Sequence, residues 1–157
     1  MDPTLQTYLQ EHNLLYKEFT HPAVFTVAES DKIKTSIPGI RSKNLFFKSR
    51  EKFYLYTLPA EQRLDTKALK KYLNIKHLEF GSPEELKVEL HLTPGSVSIF
   101  GMIYSKNTIL LIDKQIWNAQ EAGFHPNVNT ATLVITHEEL EKFCRTLKAS
   151  WEVVDIA

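Results

Sequence analysis

The sequence holds a single cysteine, Cys144, so no disulfide within the chain can brace it. Five glycines and seven prolines among 157 residues are too few for a fibrous or low-complexity chain. No apolar run approaches the roughly 18–20 residues that a membrane-crossing helix needs. The opening Met1-Asp2-Pro3-Thr4 lacks both the basic and the apolar stretch of a secretory leader. Neither Gly-x-Gly-x-x-Gly nor a P-loop pattern occurs, which removes the common nucleotide cradles. The histidines His12, His21, His77, His91, His125 and His137 form no His-x-His or His-Glu-x-x-His pair, so no sequence-local metal site is expected. No serine occupies a Gly-x-Ser-x-Gly elbow, and Cys144 beside Phe143 and Leu147 reads as a packing thiol. What remains is one globular domain over residues 1–157, expected to be cytoplasmic, without cofactor, DNA or membrane partner.

Net charge is zero, but it is unevenly spread. Between Ser30 and Lys76 twelve basic residues face four acidic ones, and the rest of the chain is correspondingly acidic. Such a segment suits either a solvated surface or attraction of a polyanion.

Local signals mark helix starts. Asp2-Pro3 caps a first helix with Leu5, Tyr8 and Leu9 on its apolar stripe. Capping boxes stand at Thr26-Val27-Ala28-Glu29 (a short helix toward Lys34), Ser82-Pro83-Glu84-Glu85 and Thr136-His137-Glu138-Glu139. Asp65 caps Thr66–Leu73. Strands are expected at Leu14–Thr20, at Asn44–Lys48 and Phe53–Leu58 around a hairpin turn, and at Ser96–Tyr104, Thr108–Ile112, Thr130–Ile135 and Trp151–Ile156. The short Ser105-Lys106-Asn107 link predicts antiparallel pairing of its flanking strands. The sum is an α/β (α+β) domain with a mixed sheet.

Glycine- and proline-punctuated segments offer backbone N–H groups to a carbonyl oxygen or a phosphate. They are His21-Pro22-Ala23-Val24-Phe25-Thr26, Pro38-Gly39-Ile40-Arg41-Ser42-Lys43-Asn44-Leu45-Phe46-Phe47, Pro94-Gly95-Ser96-Val97-Ser98-Ile99-Phe100-Gly101, and Gly123-Phe124-His125-Pro126-Asn127-Val128-Asn129-Thr130. In this order they resemble the YbaK/prolyl-tRNA synthetase-associated editing-domain family, within it the freestanding PrdX/ProXp-ala-like branch. The resemblance spans about Leu5 to Asp155. It implies a YbaK-like mixed, largely antiparallel sheet or partial barrel surrounded by helices. It also implies hydrolysis of a misacylated tRNA, alanyl-tRNA(Pro) foremost, with the tRNA acceptor end as partner and prolyl-tRNA synthetase as a second.

The family keeps a lysine at the position of Lys43, which the resemblance makes the catalytic residue. Substrate-binding positions are then Phe25, Thr26, Asn44, Gly95, Ser96, Gly101 and His125, with backbone N–H groups near Gly95, Ser96 and Gly101 as oxyanion donors. Phe25, Phe47 and Phe100 are candidate walls of the amino-acid pocket. The cations Lys32, Lys34, Arg41, Lys48 and Arg50 would hold tRNA phosphates. Ile99 stands where the family's glycine loop usually has proline, which bears on pocket size. Ester hydrolysis needs a positioned water, a stabilised oxyanion and a proton for the leaving oxygen. Alternatives are a cysteinyl- or seryl-tRNA deacylase on the same fold, a non-catalytic tRNA- or synthetase-binding module, or a small-molecule-binding domain.

Overall fold

The computed structural model describes residues 1–23 and 37–156. The helix expected from Thr26, with Phe25, Lys32 and Lys34, lies outside the described residues.

In chain order the elements begin with helix α1 (Pro3–Glu11) and strands β1 (Lys17–Thr20), β2 (Ile40–Ser49) and β3 (Lys52–Pro59). Helix α2 (Thr66–Leu73), strand β4 (Glu79–Phe80), helix α3 (Pro83–Leu90) and a 3-10 segment (Ile99–Tyr104) follow. The chain continues through β5 (Ile109–Asp113), α4 (Lys114–Asn118), β6 (Glu121–Phe124), β7 (Ala131–Thr136), α5 (His137–Thr146) and β8 (Trp151–Val154).

The eight strands make one open mixed sheet in the order β1-β7-β6-β2-β3-β5-β8, with β4 on β2. β2 pairs antiparallel with β3 from Ser42 to Ser49. On its other edge Ile40 and Arg41 run parallel to β6, whereas Phe47 and Lys48 meet β4 antiparallel. β3 and β5, and β5 and β8, pair in parallel. The two faces of the β2–β3 ribbon serve different cores. Phe46 and Leu55 enter the larger one, with Phe100, Phe124, Leu133, Phe143 and the α1 leucines. Phe47, Tyr54, Tyr56 and Leu58 point the other way and are covered by Leu69 of α2. Fully burying one such leucine contributes about 2 kcal/mol.

Among the described residues the caps predicted at Asp2, Asp65, Ser82 and Thr136 form. Asp2 accepts from Thr4 N, Asp65 from Ala68 N, and Ser82 exchanges bonds with Glu85 in a complete box. Thr136 accepts from Glu139 N, but the Glu139 carboxylate turns to Leu15 N, fastening the chain ahead of β1 to α5 instead of closing the box.

One expected strand is corrected. Ser96–Tyr104 does not extend: Ser98 caps a 3-10 segment by accepting from Phe100 N, and Gly101 N donates to Ser98 O. Its apolar residues Ile99, Phe100 and Met102 are buried because the segment plugs the larger core. No hairpin therefore spans Ser105–Asn107, and β5 pairs in parallel with β3 and β8 instead.

Tyr56 and Asp113 link strand β3 to the cap of α4. Tyr56 Oη donates to Asp113 Oδ2 at 3.1 Å, while Asp113 Oδ1 accepts from Gln115 N. Burial, then the Asp113 charge, pushes the Tyr56 phenol well above its ordinary value. Tyr56→Phe leaves a buried carboxylate oxygen without its donor, so stability should fall by about 1–3 kcal/mol in urea denaturation.

Candidate active site

The site forms where β2 begins. Gly39 has φ +86°, and a Cβ there would stand 2.8 Å from the Glu121 carbonyl oxygen. Only glycine turns the chain this close to β6. Ser42 Oγ donates to Gly123 O at 2.6 Å, and Ala60 N to Arg41 O at 2.8 Å, fixing the strand start to β6 and to the exit of β3.

A pocket of about 400 Å³ opens at this junction. Ile40, Arg41 and Ser42 supply one wall, and Pro59 to Gln62 another. Gly123, Phe124 and His125 supply a third, with His21, Thr132 and Gln115 beside them. Gly123 keeps the β6 wall bare; an added Cβ would sit 3.0 Å from Thr132 Cγ2. Arg41 Nη2 pairs with Glu61 Oε1 at 3.5 Å, placing both charge signs on the rim.

Two histidines face one another, ring centroids 6.2 Å apart. His125 Nδ1 lies 3.1 Å from Ala131 O. A carbonyl only accepts, so Nδ1 carries the proton and Nε2 of the neutral ring is an acceptor. The same reasoning makes His21 Nδ1 a donor to Pro22 O, and its Nε2 lies 2.9 Å from the Thr132 hydroxyl. Burial lowers the His125 pKa below the ordinary histidine value; its bond to Ala131 opposes the shift and neighbouring His21 adds to it.

The structure gathers some of the sequence-derived positions and separates others. Arg41 and His125 line the pocket. Lys43 is half-buried two residues beyond Arg41, on the same face of β2, opposite Leu58. Asn44 faces the other way, opposite Thr57; Asn44 Oδ1 and Thr57 Oγ1 are both sealed and make no hydrogen bond with the protein. Gly95, Ser96 and Gly101 lie away from the pocket walls. Gly95 turns with φ +91°, Ser96 N donates to Thr93 O and Gly101 N to Ser98 O, so the last two N–H groups are engaged within their own turns. Gly101 is a packing glycine, since a Cβ would meet Leu92 Cδ1 at 2.6 Å. Phe100 packs edge-on to Phe124 and Phe143, and Phe47 stacks under Phe80, so both serve cores. Lys48 is bound to Glu85 at 2.6 Å, and Arg50 stands at the hairpin tip. Nine strand steps, about 30 Å, separate Arg50 from Arg41.

With this geometry in view, comparison with known proteins is decisive. The aminoacyl-tRNA editing domain family matches residues 21–143, well over half the chain. This chain belongs to that family. The prolyl-tRNA editing protein ProX of Acetoanaerobium sticklandii is 29% identical over 152 residues, covering 94% of this editing domain and 93% of its own chain. Prolyl-tRNA synthetase associated domain-containing protein 1 of Xenopus laevis is 27% identical over 148 residues, with coverages of 90% and 88%. Among solved structures, a protein described as a candidate trans-editing enzyme for prolyl tRNA synthetase superposes with a TM-score of 0.75 at 20% identity, covering 99% and 98% of the two chains. The hypothetical protein APE2540 gives 0.76 at 17% identity, covering 97% of each chain. These two likenesses establish the editing-domain fold.

Sequence reasoning did not assign His21, Ser42, Glu61, Gln62, Gln115 or Thr132 to the site. His21 and Ser42 stand within quoted motifs and had a usable signal; the others carry none, because they converge only through the sheet. Among the described residues no cluster of three metal-ligating side chains forms, and no helix is long and apolar enough to cross a membrane.

His125 makes a testable contribution to stability. Below the ordinary histidine value the unfolded chain binds a proton that folded His125 resists, so stability falls as pH drops through that window. The urea midpoint of the wild type should be lower at about pH 5.5 than at about pH 7.5, and the difference should be smaller in His125→Gln.

Proposed function

We propose that this chain is a trans-editing deacylase that hydrolyses the ester of a misacylated tRNA, alanyl-tRNA(Pro) foremost, releasing free amino acid and tRNA in the cytoplasm. The observation that carries the reading is the pocket at the start of β2, bounded by Arg41 and His125 in a chain of the editing family. The Acetoanaerobium relative bears the name of a prolyl-tRNA editing protein over nearly its whole length, which favours the proline system.

The chemistry follows from the ester. Water adds to the carbonyl carbon, the tetrahedral oxyanion collapses, the bond to the ribose oxygen breaks, and that oxygen takes a proton. Lys43, on the face of β2 that also carries Arg41, acts electrostatically, holding the ester end or the adjacent phosphate. Neutral His125 offers Nε2 as an acceptor to water or a ribose hydroxyl, its ring held by the Nδ1 bond to Ala131. The neighbouring ribose hydroxyl relays the proton to the leaving oxygen.

Selectivity is that of a sieve. A synthetase gains only about 1–3 kcal/mol against a side chain smaller by one methylene, so a second pocket that admits the small product restores fidelity. Alanine enters and proline is rejected by size. Prolyl-tRNA synthetase is then the upstream partner whose errors this chain removes.

The test is deacylation of alanyl-, cysteinyl-, seryl- and prolyl-tRNA(Pro) by wild type and Lys43→Ala. Alanine release should exceed the others, and the variant should lose about 100-fold or more in rate, the loss expected for one electrostatic stabiliser. Preference for cysteine or serine would redirect the sieve, and a folded protein that binds tRNA yet turns over no ester would be a binding module.

A further inference from the structure

We propose that the basic face of α2, together with Arg63 before it and Lys76 after it, receives the phosphate backbone of the tRNA acceptor stem; this rests on the deacylase reading above. Of the anticipated cations that the structure describes, Lys48 is paired with Glu85 and Arg50 lies at the far hairpin from Arg41. The α2 region differs. From Arg63 to Lys76 the chain carries Arg63, Lys67, Lys70, Lys71 and Lys76 against one acid, Asp65, whose carboxylate is engaged in capping Ala68 N. All but half-buried Lys70 are exposed.

Among the described residues none of these five cations makes an ion pair, whereas Lys17, Lys114, Lys142 and Arg145 each meet a carboxylate. Lys67 and Lys71 stand one turn apart on the same helix face, an arrangement that destabilises a helix slightly when nothing offsets it. The other amphipathic helices are built differently: α3 and α5 mix Glu with Lys or Arg on their wet faces. On the same helix Tyr72 Oη donates to the Glu152 carboxylate at 3.1 Å. A row of uncompensated cations beside a family-assigned RNA ester site fits a row of phosphates.

Position supports the match. Gln62 lines the pocket, and Arg63 is the next residue. Five residues of chain, at most about 18 Å, carry the backbone from Gln62 to Lys67. Leu69 packs α2 onto the β2–β3 face that includes Leu58, and Leu58 is the partner of Lys43. The pocket rim, Lys43 and the α2 cations therefore lie on one side of the sheet. An aminoacyl 3′ end in the pocket sends its stem across α2 toward Lys71 and Lys76.

The experiment compares wild type with K67E/K71E, and with K67Q/K71Q should the charge reversal fail to fold. The probe is an uncharged RNA hairpin reproducing the acceptor stem with its single-stranded 3′ end, titrated by fluorescence anisotropy over a range of salt. A second assay follows hydrolysis of 3′-alanyl-adenosine, an ester with no stem. The variant should bind the hairpin about tenfold more weakly, and the slope of log affinity against log salt should shrink by roughly 1.5. Hydrolysis of the small ester should be unchanged. Equal hairpin affinity and slope would overturn the proposal, as would a loss seen equally with the single-stranded 3′ tail alone. If the wild type hydrolyses neither alanyl-tRNA(Pro) nor 3′-alanyl-adenosine, the deacylase reading fails, and the hairpin titration still decides the surface.

Discussion

Strand β2 is hydrogen-bonded on both edges, and along one of them it changes partner. Its first residues lie parallel to β6, its last pair with β4, and β3 follows it nearly throughout on the other side. This sharing joins two halves of the sheet that would otherwise be separate, and it puts alternate β2 side chains into two different cores. The pocket forms where the sharing begins. Its walls are the strand starts and ends that the junction brings together, so pocket geometry and sheet topology are one constraint.

Around that junction the polar groups are arranged by neighbours rather than by local sequence. Ser42 is held by the Gly123 carbonyl, His125 by Ala131, and His21 by Thr132. Each bond sets a side-chain orientation or a tautomer that an isolated segment would leave open. The α1 end contributes from a distance: Asp2 accepts from Tyr104 Oη and Asn127 Nδ2, tying the first helix cap and the 3-10 segment to the loop that follows His125. These contacts hold the His125 loop against the larger core. Cys144, by contrast, is sealed on α5, and burial pushes its thiol up to about 12, as suits an inert packing residue.

The correction at Ser96–Tyr104 illustrates why apolar runs mislead. Alternating Val97, Ile99 and small residues imitate a strand, yet Ser98 captures the Phe100 N–H and turns the chain into a 3-10 segment. At Gly101 a Cβ would run into Leu92, and its N–H is bonded to Ser98 O within the same turn. The opposite error occurs at Glu121–Phe124. Four residues including a glycine give no periodic signal, but β2 and β7 on either side make them a central strand.

By itself the sequence determined the helix starts at Asp2, Asp65, Ser82 and Thr136, the β2–β3 hairpin and the family resemblance. Caps and tight turns are settled within a few residues, and the ordered motifs are read in line. It also placed Lys43 and His125 as residues of interest. Only the tertiary structure decided that Arg41, Glu61, His21 and Thr132 share a pocket, that Gly101 is not among its walls, and that α2 covers the face of β2–β3 that carries Lys43. Those relations depend on strand order and on which face each residue presents, and both arise when distant segments pair to bury two cores.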